Sequence, residues 1–147
     1  MKFSTRVDRP VLAEQMFKII SDFERIERIL MRRGASVQRV ANGSDATISW
    51  DLKFDWRGQS RALQLLLVQF DRPEKLALTG KSKPFDMRFD LSVVALSRVK
   101  SRLIFEMEVW PRNMRARLAV QTAKLGKAQL DRKFAERVAS FVDDAIA

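Results

Sequence analysis

The chain has 147 residues, with 28 Lys and Arg against 18 Asp and Glu, a formal net charge of +10. It contains no cysteine, histidine or tyrosine. That excludes disulfides, thiolate chemistry, the commonest metal ligand and the commonest general base, and leaves carboxylates, lysine and hydroxyls for any reaction.

The opening "KFSTRV" (2–7) alternates Phe3, Thr5 and Val7 against Lys2, Ser4 and Arg6, which predicts a short strand. In the following "DRP", Asp8 is a candidate helix N-cap and Pro10 suits a first helical turn, where its missing N–H costs nothing. Val11, Met16, Phe17, Ile19 and Ile20 form the apolar band of a first helix. Ser21 and Glu24 have capping-box spacing, so a second helix is predicted to begin there. It turns Phe23, Ile26, Ile29 and Leu30 inward and Arg25, Glu27 and Arg28 outward, and it closes at Gly34.

From Gly34 to Arg112 the period becomes two. "ASVQRVA" reads as a strand and "NGSD" (42–45) as a hairpin turn. "ATISWDLKFDW" (46–56) then places Ile48, Trp50, Leu52, Phe54 and Trp56 on one face. Three of these five dry positions are large aromatics. "RGQS" (57–60) is the next turn. "RALQLLLVQF" is apolar on both parities, so either a β-bulge switches its faces midway or a second subunit covers one of them; the bulge is preferred. "KLALTGKSK", "PFDMRFDLSVVAL" and "RLIFEMEVW" complete six strands after the helices. Short turns between them predict an antiparallel meander with one solvated face.

Residues 113–146 return to helical period. Ala116, Val120, Ala123, Leu130, Phe134, Val138, Phe141 and Ala145 share one sector under about 100° wide. Gly126 marks a bend within this helix. The whole chain is therefore read as one α+β domain, residues 1–147, in the order β-α-α-β6-α. A curved seven-stranded antiparallel sheet wraps a long C-terminal helix. The start "MKFSTRVDRP" has no apolar core of a signal peptide and no apolar run approaches membrane length, so a cytoplasmic protein is expected.

Three segments carry a resemblance to a known family. "KFSTRVDRPVLAEQMFKIISDFERIERI" is similar to the opening strand and paired helices of the START/Bet v 1 group, the helix-grip superfamily of polyketide cyclases, dehydrases and lipid transporters (SRPBCC). "FDRPEKLALTG" resembles its strand–"PP-x-x-L"–strand corner, with Arg72 in place of the usual first proline. The segment from Val99 to Ile146 resembles its last strand and long helix, although Lys100-Ser101 stands where many relatives have Gly-Thr. The resemblance covers essentially the whole chain. It implies a cavity between sheet and helix for hydrophobic small molecules, and it supplies no catalytic set.

Candidate ligand-binding residues follow from the dry face and the helix stripe. Trp50, Phe54, Trp56, Phe89, Phe105, Met107 and Phe134 are core aromatics and methionine that would line such a pocket, with Ala123 leaving room opposite them. Gln64 would orient a ligand if it faces inward. Lys127 lies in phase with Ala123, Leu130 and Phe134 and follows Gly126. An ammonium in an apolar stripe must snorkel, find a partner or meet an anionic head group.

Metal ligation is not expected, because only an all-oxygen site could form and no carboxylate spacing resembles a calcium loop. No cofactor pattern or phosphate loop occurs. The leading reading is a non-catalytic binding or carrier protein for a hydrophobic, anionic small molecule. The alternative is a cyclase or dehydrase acting on a polyketide-like substrate, with Lys127 and Gln64 as its polar groups. Residues 112–133 hold seven bases against one acid, Asp131, which suits peripheral contact with an anionic membrane. Nucleic-acid binding through the same stripe lacks a motif and an exposed stacking platform.

Overall fold

A computed structural model of the chain describes residues 1–41, 48–56 and 58–147. Strand β1 (Lys2–Arg9) is followed by helices α1 (Ala13–Ser21) and α2 (Phe23–Arg32). Six strands come next: β2 (Ser36–Ala41), β3 (Ile48–Trp56), β4 (Gln59–Asp71), β5 (Lys75–Lys81), β6 (Phe85–Ala95) and β7 (Ser101–Pro111). Helices α3 (Met114–Lys124) and α4 (Lys127–Ile146) end the chain. The strands form one antiparallel sheet in the order β1-β7-β6-β5-β4-β3-β2. The meander is thus closed on one side by the first strand, which pairs with the last. The predicted turn at 42–45 lies outside the described residues.

The helix starts differ from the sequence reading. Asp8 caps nothing, because β1 runs through it; its carboxylate instead accepts hydrogen bonds from Arg102 Nε (2.7 Å) and Nη2 (3.0 Å) on the neighbouring strand. The first helix starts only after Leu12, at Ala13. Ser21 does not cap α2 either. It is still in the last turn of α1, where its hydroxyl donates back to the Phe17 carbonyl (2.6 Å). Asp22 is the N-cap, accepting from the Arg25 amide. Gly34 does close the helical pair, at φ +98°, a conformation that favours glycine.

The C-terminal segment is two helices where one bent helix was expected. Asn113 caps α3 by accepting from the Ala116 amide (2.8 Å), and the helix stops before Leu125-Gly126. Gly126 then begins α4, at φ −112° and ψ 29°. The bulge predicted in β4 is present: the register against β5 shifts between Leu67 and Gln69. Before it Leu65 faces the concave side of the sheet, and after it Phe70 packs on Phe17 (5.4 Å between ring centroids) and Phe23 (6.2 Å). One extra residue thus keeps both ends of a 13-residue strand in contact with the interior.

The core lies where α1 and the C-terminal end of α4 meet the middle of the sheet. Val7, Met16, Phe17, Ile20, Leu76, Leu91, Val93, Leu103 and Val142 form one buried cluster. Ion pairs tie α4 down around it. Arg9 donates to Asp143 through Nε (2.7 Å) and Nη2 (3.2 Å), and Arg33 pairs with Asp144.

Arg102 holds the Asp8 carboxyl below its ordinary pKa, chiefly through its hydrogen bonds and secondarily through its charge. A carboxyl lowered on folding adds stability above its unfolded pKa, and that stability is lost as pH falls through the lowered value. The thermal midpoint of the wild type is therefore expected to exceed that of Asp8→Asn by a constant margin from neutral pH to about pH 5, and the margin should shrink below about pH 4. Melting curves of both proteins across that range check it. A margin unchanged at low pH would show that the pair adds no pH-dependent stability.

Candidate functional site

The concave face of the sheet is not filled. Between it, α2 and the C-terminal part of α4 lies a cavity of about 390 Å³, within the usual range of about 300–1,000 Å³ for small-molecule sites. Its walls follow from the periodicities of the elements. β3 to β7 contribute inward residues such as Trp50, Leu52, Leu65, Leu78, Phe89 and Phe105. Helix α2 gives Phe23, Ile26, Glu27 and Leu30, and α4 gives Phe134, Arg137, Val138 and Phe141. A chain of ring contacts, Phe3–Phe134 (5.6 Å), Phe134–Phe105 (5.6 Å) and Phe105–Phe89 (6.3 Å), closes one end of the space between sheet and helix.

Among the described residues, three on this wall carry charge: Glu27, Arg33 and Arg137. Glu27 sits on α2 between Phe23 and Leu30, four residues after one and three before the other. One carboxylate oxygen, Oε2, accepts from both the Trp50 indole N–H (2.7 Å) and Arg39 Nε (2.7 Å). The buried indole thereby finds its partner, and the carboxylate is paired. Arg33 is also satisfied: it pairs with Asp144, donates to Ser140 Oγ (3.2 Å) and lies over the Phe141 ring (5.7 Å). Arg137 differs. Its guanidinium lies over the Trp56 ring (5.4 Å), and among the described residues no carboxylate pairs with it. Arg137 is exposed although it lines the cavity, which places it at the mouth.

No protein-family model and no curated protein sequence matches the chain. Solved structures do. The aromatase/cyclase ZhuI from Streptomyces sp. R1128 superimposes with a TM-score of 0.73 at 12% identity, over 99% of this chain and 93% of that one. A START superfamily protein from Mycobacterium smegmatis gives 0.56 at 19% identity, over 93% and 98%. A point mutant of norcoclaurine synthase from Thalictrum flavum, in complex with a transition-state analogue, gives 0.68 at 9% identity, over 100% and 96%. The chain has the helix-grip fold. At these identities the likeness fixes the architecture, and the site must be argued from the side chains of this chain.

In this helix grip the cavity lies towards α2, and that decides which anticipated residues reach it. Trp50, Phe89, Phe105 and Phe134 are on its wall. Phe54, Trp56, Gln64, Met107, Ala123 and Lys127 are not. Trp56 touches the wall indirectly, as the platform under Arg137. Gln64 is exposed on the far face of the sheet, opposite Asp51 and Lys81, because the bulge falls after it and not before. Ala123 is on α3, which contributes nothing to the wall. Lys127 does not point into the cavity. As the first residue of α4 it lies at the closed end, its ammonium paired with Asp131 (2.6 Å) and placed over the Phe3 ring (4.7 Å).

Glu27 and Arg137 were missed by sequence reasoning, yet a signal existed. Glu27 shares a helical face with Phe23 and Leu30, and Arg137 with Phe134 and Phe141. Charged residues at i±3 and i±4 from two apolar ones belong to the inner face as much as to the outer. Among the described residues no three Asp or Glu side chains cluster to hold a metal ion, and no helix is long and apolar enough to cross a membrane.

Proposed function

We infer that the chain binds a hydrophobic small molecule with an anionic head group in this cavity. The observation that carries the reading is the charge pattern of an otherwise apolar wall: among the described residues two of its three charged residues are paired with acidic or basic partners, and the third, Arg137, has no such partner and stands at the mouth. A fatty-acid-like or polyketide-like carboxylate would bury its chain against α2 and the sheet and leave its head beside Arg137. The guanidinium can then meet a carboxylate in a bidentate fork. The fold likeness to a START superfamily protein agrees with a binding role.

Titration with a fluorescent long-chain carboxylic acid tests this. Ile26→Trp, on α2, and Leu78→Trp, on β5, each fill the cavity from a different side. Both are expected to abolish binding while the protein still unfolds cooperatively. Undiminished binding in both variants would place the ligand elsewhere.

A second reading is catalytic, and one observation favours it. Both donors to Glu27 converge on a single oxygen, so that among the described residues Oε1 has no hydrogen-bond partner, in a residue that lines the cavity. Such a carboxylate can accept a proton from carbon next to a carbonyl, as a cyclase or dehydrase acting on a poly-carbonyl substrate requires. The likeness to an aromatase/cyclase fits this role. Glu27→Gln separates the two readings: loss of turnover with retained binding of a poly-carbonyl compound supports catalysis, and the absence of turnover by the wild type leaves binding alone.

A further inference from the structure

Helix α3 contributes no residue to the cavity wall. It meets the rest of the protein through small side chains: Ala116 is buried and Val120 and Ala123 are half-buried. At helical period these three fall within a sector of about 60°. On the opposite face Met114, Leu118 and Leu125 fall within about 40° of one another, and they are 66%, 58% and 89% exposed. Leu125 keeps the helical conformation, at φ −66° and ψ −28°, and its N–H donates to the Thr122 carbonyl (3.1 Å), so the stripe runs on one residue past the end of α3. The inner face of α3 already has its apolar contacts. Folding gives no reason for a second apolar face turned away from the protein.

The charges beside the stripe identify its occupant. Arg117 and Lys124 lie on one flank and Arg115 on the other. All three are exposed, and among the described residues none has an ion pair. No acidic residue occurs between Glu108 and Asp131. A second copy of the chain would bring the same positive charge to the same face. Nucleic acid would satisfy the charge but offers aliphatic side chains nothing to enter, and stacking needs aromatic rings, of which this stripe has none. An anionic lipid surface satisfies both features, with head groups against the bases and the acyl boundary against methionine and leucine.

We propose that α3 is an interfacial helix that docks the protein on anionic lipid surfaces through Met114, Leu118 and Leu125, flanked by Arg115, Arg117 and Lys124. The cavity plays no part in this contact, so it stands independently of the ligand.

Sedimentation with phosphatidylcholine vesicles, with and without phosphatidylserine, tests the proposal. The wild type should sediment with the mixed vesicles and not with phosphatidylcholine alone. Met114→Ser/Leu118→Ser/Leu125→Ser keeps every charge and is expected to lose about tenfold in partitioning. Arg115→Gln/Arg117→Gln/Lys124→Gln keeps the apolar stripe and should lose a similar factor at low salt. All six side chains are exposed, so both variants should retain the wild-type thermal midpoint. A serine variant that binds like the wild type overturns the proposal, because adsorption would then follow from net charge alone. Failure of the wild type to bind anionic vesicles overturns it too, and leaves the face to a protein or nucleic-acid partner.

Discussion

Phe17→Ala is expected to cost about 3–5 kcal/mol of folding stability, the range for removing a fully buried aromatic ring. Phe17 is 2% exposed and sits at the centre of the cluster that joins α1 to the sheet and α4. Its ring also meets Phe70 edge-on, at 5.4 Å, and that contact anchors the part of β4 beyond the bulge. Ile26→Ala is expected to cost only about 1 kcal/mol. Ile26 faces the cavity, so its side chain already lacks neighbours on one side and its removal forfeits fewer contacts. Urea denaturation measures both, through shifts of the midpoint at constant slope. The contrast matters more than either value. Equal losses would mean that the space beneath α2 is filled by side chains, and the ligand reading would lose its container.

The periodicities made the architecture legible. Alternation in β3, β6 and β7 named the inward residues, and Trp50, Phe89 and Phe105 are on the cavity wall as that alternation requires. The β4 bulge was readable because an apolar strand cannot solvate both faces. Its position was not readable, since nothing local distinguishes a shift at Gln64 from one at Val68. Gln64 therefore fell on the wrong side. Helix starts failed for a different reason. Asp8 and Ser21 have capping chemistry, but strand pairing with Arg102 and back-bonding to Phe17 take those groups instead. For Asp8 a partner 94 residues away outcompetes the local cap, and for Ser21 a carbonyl one turn back in the same helix does.

The site was harder to read because a helix face does not say how far along it the sheet is covered. Lys127 and Arg137 both interrupt the apolar stripe of the C-terminal segment. The sequence marks Lys127 more strongly, since it lies at the centre of the stripe. The chain breaks beside it at Leu125-Gly126, and Asp131, one turn on, neutralises it. Arg137 lies nearly three turns further, on the part of α4 that lines the cavity. Choosing between the two requires knowing that Phe3, Phe105 and Phe134 fill the space near Lys127. That is a tertiary fact with no local signature.

The same comparison yields the sharpest test of ligand chemistry. Arg137→Met is expected to weaken binding of a long-chain carboxylic acid by about 1–2 kcal/mol, roughly five- to thirtyfold in Kd. The size is held to the lower part of the range for charge-assisted hydrogen bonds because Arg137 is exposed and water screens it. Binding of the methyl ester should hardly change, since methionine preserves most of the stem that lies along the mouth. Added salt should weaken acid binding to the wild type more than to the variant. Lys127→Met is the control, and it should leave both affinities alone, because its ammonium is spent on Asp131 and the Phe3 ring. Two outcomes would reverse the assignment. Equal losses for acid and ester in Arg137→Met would make the arginine a packing element over Trp56. A loss confined to the acid in Lys127→Met would move the head group to the other end of α4, where the ring contacts leave it little room.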